Sequence, residues 1–432
     1  MQSAPRITWI LVSLLLALVV FAASSSAIAA QASSSHAPLP LPVELTRRVA
    51  IPPSASSRSP EDAHPQDGPI GPELLQALAE AEPDEYLRVI VHLREQTNLG
   101  AATDKMANAD EARASIVSAL QDTAARSQTP LLYYLEEAQA TGLVESYTPF
   151  WIFNGVAIRA YPSVIYDLAA RPEVAAIHLD LYRQWLTTDR RPVAGVRHAA
   201  SSVDWGVAQI RADEVWGSLH VSGTGAIVAG MDTGVDWIHP ALQANYRGHN
   251  PHGPSDHTYS WYDAVGGTLY PMDDHNHGSH TMGTIVGQSG IGVAPGARWI
   301  AVKVLDKGGY GYDSWIHTGF QWILAPGGDP GRAPDVVNCS WGNDAGYLTV
   351  FQADLQALRA AGIFGVFSNG NNGPGEGTVG SPASLPEAFA VGATDSDDDV
   401  ATFSSRGPSS WGEVRPHVAA PGVGVRSSLP GG

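Results

Sequence analysis

The sequence predicts an α/β protein built on a doubly wound parallel sheet, preceded by a small α+β domain of the ferredoxin-like kind. In the second half of the chain, near-continuous apolar strands (AIVAGMD, RWIAVKVL, PDVVNCSW, IFGVFS, AFAVGAT) alternate with helical stretches, as strands buried on both faces do. Upstream, residues 85–185 carry the order strand-helix-strand-strand-helix-strand, the split β-α-β pattern. A length of 432 residues also exceeds the roughly 250 to 300 that one hydrophobic core holds.

Taken in order, residues 1–29 have the form of an export signal. Arg6 flanks an apolar run at residues 9–23, and Ala27-Ile28-Ala29 supplies the small residues a signal peptidase cuts after. That run is shorter than the roughly twenty residues of a spanning helix, and no later segment is apolar enough to cross a bilayer. A secreted, extracellular product is expected, with no membrane attachment once the signal is removed. Residues 30–84, rich in Ser, Pro and Ala with PLPLP and IPPSASSRSP, bury too little to offset their ordering entropy and read as a disordered linker.

Within residues 85–185, YLRVIVHL reads as a strand and the alanine-rich stretch 110–140 as a helix. VESYTPFW and FNGVAIRAY form two strands joined by a short turn; residues 162–170 form a second helix opened by Pro162; VAAIHLDL is the last strand. Residues 186–202 are polar, contain Arg190-Arg191-Pro192 and lie between two apparent cores, as a processing linker does. WGVAQIRADEVW then opens the main domain, residues 203–432, with helices expected around 279–286, 312–323 and 350–361.

Forty-three acids against 25 bases give a net charge of -18, which repels phosphate backbones and excludes nucleic acid as a partner. The single cysteine, Cys339, rules out an intrachain disulfide framework, and its setting in DVVNCSWG predicts a buried strand thiol. Gly223-Thr224-Gly225 precedes a strand, whereas a dinucleotide-binding turn must follow one and open a helix. No cofactor is expected.

Two segments carry chemistry. IVAGMDTGVDWIHPAL puts Asp232 at the end of an apolar strand, and DDHNHGSHTMGTIVG puts His277 at the start of a helix beside Gly278. An aspartate so placed can hold an imidazole in the tautomer that leaves its other nitrogen free as a general base. Asp236 is a nearby alternative expected to point elsewhere on its loop. His275, His277 and His280 cluster with Asp273 and Asp274, which invites a zinc reading. The cluster has neither H-E-x-x-H spacing nor a Cys pair, so no metal is expected and His280 is assigned to packing.

From residue 205 to 432 the chain resembles the subtilisin-like serine proteases, on the motifs DTGVDWIHPAL, SWYDAVGG, DDHNHGSHTMGTIVG and TVGSPAS. The resemblance implies a serine endopeptidase with Asp232 and His277 in its triad and Asn371, in SNGNNGPG, as the amide donor to the oxyanion, with Asn369 and Asn372 as decoys. It implies that Gly309-Tyr310-Gly311 and Ser340-Trp341-Gly342 are two edges between which an extended peptide pairs, and that Gly380 lines the floor of the first specificity pocket. Residues 85–185 are similar to the family's propeptide, which occupies the cleft. The implied partners are protein or peptide substrates and the chain's own propeptide, and a monomer is expected.

Two departures stand against the family pattern. GQSGIGVAP runs almost directly into the next strand, leaving no room for the family's calcium loop, and the acidic run at residues 395–399 reads as a solvated turn. APGVGVRSSLPGG matches the strand and loop before the nucleophile, with the nucleophilic serine segment expected roughly ten residues beyond. Ser427 and Ser428 are not assigned to that role. The catalytic domain is therefore expected to be C-terminally incomplete, a fragment whose residues 1–432 lack turnover; the alternative is a non-catalytic peptide-binding or inhibitory homologue.

Overall fold

The structure is a computed structural model that describes residues 68–100, 109–186 and 203–431. The expected export signal, most of the N-terminal linker and residues 187–202 of the processing linker lie outside these.

The described chain begins with a difference from expectation. Residues 72–80 fall in the stretch read as a linker reaching residue 84, yet they form helix α1 (Pro72–Glu80), with proline in the first turn where no amide hydrogen is missed. Leu74 and Leu78, one turn apart, are buried, and the helix packs on β4 (Val174–Leu179). The rest of the small domain follows the expected order: β1 (Leu87–Leu93), α2 (Ala109–Ala140), β2 (Val144–Phe150), β3 (Gly155–Ala160), α3 (Pro162–Ala169) and β4. Its sheet is antiparallel in the order β2-β3-β1-β4.

Both faces of that sheet are covered, and the two-residue period of β1 records it. Val89, Val91 and Leu93 join the small domain's own core, while Ile90 faces the other way, into the core of the large domain. Helix α2 is divided in the same manner: Ile116, Val117 and Leu120 belong to the large core, Leu131, Leu135 and Ala138 to the small one, with Pro130 between. At the junction, the amides of Trp151 and Ile152 donate to Gln321 Oε1 at 2.7 and 3.3 Å.

The large domain is a seven-stranded parallel sheet in the order β13-β12-β11-β10-β6-β8-β7. Its strands are β6 (Ile227–Asp232), β7 (Trp261–Asp263), β8 (Arg298–Lys303), β10 (Val336–Cys339), β11 (Phe364–Ser368), β12 (Phe389–Thr394) and β13 (Val418–Pro421). Helices include α4 (Trp205–Gln209), α5 (His277–Val286), α6 (Asp313–Leu324) and α7 (Gln352–Ala360). The α/β fold with a doubly wound parallel sheet is as predicted, and Cys339 is buried. Two details differ. PDVVNCSW is strand only to Cys339, so residues 340–342 leave the sheet as an edge. The strand anticipated in APGVGVRSSLPGG lies at its start, and residues 422–431 run without regular structure.

A third, two-stranded sheet joins the domains: β5 (Tyr182–Gln184) pairs antiparallel with β9 (Tyr310–Tyr312).

Candidate active site

Strand β6 sits between β10 and β8 in the interior of the large sheet, so its carboxyl end opens where ligands of such sheets gather. Asp232 is its last residue and only 2% exposed. His277 Nδ1 lies 2.8 and 2.9 Å from the two Asp232 carboxylate oxygens, donating its hydrogen to them. The His277 side chain keeps 33% exposure. Burial opposes charge on this imidazole, but the Asp232 carboxylate, with Asp273 beyond it, more than offsets that effect and His277 titrates above its ordinary range.

Main-chain contacts set this geometry. A Cβ on Gly278 would stand 2.0 Å from the Gly234 carbonyl oxygen, and one on Gly234, at φ +106°, would stand 1.9 Å from the Met272 carbonyl oxygen. Side chains at either position would drive the helix start away from the strand end. Asn276, just before His277, also adopts a positive φ of 91°.

Three residues that were assigned no part in holding the pair from sequence, Thr233, Asp273 and Lys303, stitch it together. The Thr233 hydroxyl donates to Asp273 Oδ1 at 2.9 Å and accepts from the Gly278 amide at 2.9 Å. Asp273 accepts in addition from the amides of His275, Asn276 and Ser279, sealing the start of α5. Lys303, 2% exposed, donates to the Thr233 and Leu305 carbonyls and, at 2.6 Å, to Asp274. Asp273 could have been read as a cap from its position before the helix; Lys303 had no local signal, because its partners come from three separate segments.

Asp236 points elsewhere, as expected, accepting from the amides of Ile238 and Gly431. Ser427 and Ser428 donate to the His280 and Ser279 carbonyls at 2.6 and 2.8 Å. Among the described residues, no serine hydroxyl hydrogen-bonds to His277 Nε2.

Asn371 lines one cleft with His277, Ser340, Trp341, Gly342 and Gly380, so the sequence-assigned residues on these loops converge. Asn369 is turned inward, its amide donating to the Ser405 carbonyl at 2.6 Å, and Asn372 is held through its backbone by Ser405 Oγ. The Cβ position of Gly380 is only 2.6 Å from the Asn343 carbonyl oxygen, so glycine serves the packing here as well as the cleft floor. Trp341 is buried and donates its indole hydrogen to the Met231 carbonyl at 2.7 Å, linking the cleft edge to the strand of Asp232.

The two edges already hold a peptide, which is the chain itself. Beyond β5, the Trp185 and Leu186 amides donate to the Gly309 carbonyl at 3.0 and 3.2 Å, and the Gly342 amide donates to the Trp185 carbonyl at 3.0 Å. Gly309-Tyr310-Gly311 and residues 340–342 thus flank the strand that residues 182–186 add, the mode by which extended peptides gain affinity through main-chain bonds. Trp185 is 1% exposed, against Trp341 and Phe351, and Leu186 lines the cleft that contains His277. Upstream, Asp180 accepts from the Ser314 amide and hydroxyl at 2.9 and 2.8 Å, capping the first turn of α6 from the small domain.

A doubly wound parallel sheet with an Asp-His pair at its carboxyl end, its cleft edges paired with the tail of a preceding β-α-β-β-α-β domain, combines the fold of a subtilisin-like domain with that of an inhibitory pro-domain. The chain belongs to the subtilase family: residues 223–431 match that family and residues 88–185 match the peptidase inhibitor I9 family. It is 38% identical over 371 residues to bacillopeptidase F of Bacillus subtilis (strain 168), covering 81% of this chain and 26% of that protein. It is 36% identical over 239 residues to subtilisin E of the same organism, covering 54% of this chain and 56% of the relative. The subtilisin of Bacillus pumilus shows 36% identity over 239 residues, with 54% of this chain and 77% of the relative covered. The chain therefore spans about a quarter of bacillopeptidase F and little more than half of subtilisin E. No helix among the described residues is long and apolar enough to cross a membrane.

Proposed function

We propose that the whole protein is a secreted, monomeric serine endopeptidase that is made latent by residues 85–185 and activates itself by cutting between about residues 187 and 202. The observation that carries this reading is the tail at residues 182–186, paired between both cleft edges and leading toward His277. A strand held in that way occupies the place an extended substrate takes beside the base.

In the proposed mechanism Asp232 fixes the tautomer of His277 and stabilises its cation. His277 Nε2 takes the proton of a serine hydroxyl as that oxygen attacks the peptide carbonyl, then delivers it to the leaving amine. Asn371 donates its amide to the oxygen as charge develops there. Ser427 and Ser428 are not assigned as the nucleophile; they belong to the loop that supports α5. Substrates are proteins and peptides bound as an added strand along residues 309–311 and 340–342, and no cofactor or metal takes part.

The reading is tested by treating the complete gene product with a fluorophosphonate probe and sequencing the N-terminus of the mature form. Covalent labelling at a serine other than Ser427 and Ser428, blocked by His277→Ala, together with a mature start between residues 187 and 203, is the expected result. Activity that resists the probe and disappears on chelation would overturn it. A product that is never labelled but still binds peptides in the cleft would instead fit the non-catalytic homologue.

A further inference from the structure

Tyr182 lies outside the main cleft, four positions before Leu186 in the chain, yet it is not simply solvated. Its ring stacks on Tyr310 with centroids 5.3 Å apart and planes inclined by 22°, rests against Tyr312 at 4.9 Å, and meets the edge of Trp315 at 6.2 Å. Its hydroxyl donates to Asp306 Oδ2. Every group it touches in this way belongs to one short segment of the large domain, residues 306–315.

Besides its pairing with the tail, that segment has contacts of its own. Asp306 Oδ1 accepts from the amides of Gly308 and Tyr310 at 2.8 and 3.0 Å, which fixes the carboxylate within its own loop. Tyr312 and Trp315 meet edge to face at 5.0 Å and 83°, so the second wall is likewise built from the large domain alone. A flat aromatic floor with an anchored acceptor at its rim is a receptor for a phenol ring.

We infer that, once the pro-region has left, Asp306, Tyr310, Tyr312 and Trp315 form a remote substrate subsite that selects a tyrosine four residues N-terminal to the residue occupying the position of Leu186. This rests on the protease reading above and extends it to a substrate preference. The ring supplies the stacking and the hydroxyl reaches the aspartate, so the order of preference is tyrosine, then phenylalanine, then small or charged residues. The pro-region also lays Arg88 over Tyr312, 4.0 Å from the ring centroid, so release uncovers more of that aromatic wall than Tyr182 alone covers.

The test uses the complete gene product freed of its pro-region and quenched fluorescent peptides spanning residues 181–190, unchanged or carrying Tyr182→Phe, Tyr182→Ala or Tyr182→Lys. The expected kcat/KM for the tyrosine peptide exceeds that for the alanine peptide about tenfold, with phenylalanine between. In the enzyme, Asp306→Asn reduces the tyrosine-to-phenylalanine ratio and Trp315→Ala the phenylalanine-to-alanine ratio. Equal rates across the peptides, or a preference for lysine, would overturn the subsite while leaving the protease intact. Failure to cut any of the peptides or a general protein substrate such as casein would overturn the protease reading, and the subsite with it.

Discussion

Trp185 and Trp341 meet edge to face, ring centroids 5.5 Å apart with planes at 75°, and each is 1% exposed. The first belongs to the tail of the small domain. The second hangs its indole hydrogen on the carbonyl of Met231, one residue before Asp232. The contact that anchors the tail thus leans on the strand that carries the acid of the site.

Replacing Trp185 by alanine is expected to free the tail. Removing a buried aromatic of this size costs about 3 to 5 kcal/mol, and because Trp185 is the tail's own contribution to the large core, the loss weakens docking. Limited proteolysis with an added protease should then cut near residues 182–186 at least tenfold faster than in the unaltered chain. An unchanged rate would show that the main-chain bonds alone hold the tail.

Asp232→Asn should lower turnover of the complete gene product by about four orders of magnitude, since an amide can stabilise the wrong imidazole tautomer. The pH profile adds a second readout. Asp232 more than offsets burial and raises the titration of His277, so activity should disappear as pH falls through a value above the ordinary histidine range. In the asparagine variant the residual activity should persist to lower pH.

His92 makes a stability prediction of opposite sign. It is half-buried on β1, 4.9 Å from Phe153 and 5.5 Å from His178, and desolvation, with His178 and His317 nearby, pushes its imidazole down to about 3. The unfolded chain, titrating near 6.5, binds a proton that the folded chain refuses. The contribution of His92 is fully present above about pH 6.5 and is lost as pH falls toward 3, by up to about 1.4 kcal/mol per pH unit. Urea midpoints between pH 7 and 4 should fall less steeply for His92→Leu than for the unaltered chain.

Gly278→Ala should damage both fold and site. With only 2.0 Å between the new Cβ and the Gly234 carbonyl oxygen, the helix start must move, at about 1 to 3 kcal/mol or more. Such a shift lengthens the hydrogen bond between His277 and Asp232, and misplacement of about 1 Å is worth roughly a hundredfold in rate. Thermal unfolding and kcat, measured together, check the two effects.

What the sequence disclosed depended on the range of the physics involved. The strand and helix order of the small domain was legible because it rests on local period and on Pro162 opening α3. The meeting of Asp232 and His277 was legible as a motif. Helix α1 was hidden by a Ser- and Pro-rich preceding stretch, although Leu74 and Leu78 already marked one face. The location of Trp185 was invisible, since a lone tryptophan before a polar stretch gives no sign of two cleft edges more than 120 residues later. Lys303 was equally silent: as part of RWIAVKVL it reads as an interruption of an apolar strand, and only the fold brings Asp274 and the Thr233 carbonyl to its ammonium.

Helix α2 gives its front half to one core and its rear half to the other, on either side of Pro130. The small domain consequently cannot melt without withdrawing Ile116, Val117 and Leu120 from the large one, so before processing the two behave as a single cooperative unit, giving one transition in a calorimeter. Cutting the chain after residue 186 leaves that helix in place. In the proposed activation, severing the covalent link and dissolving the shared unit are therefore separate events, and latency outlasts the cut.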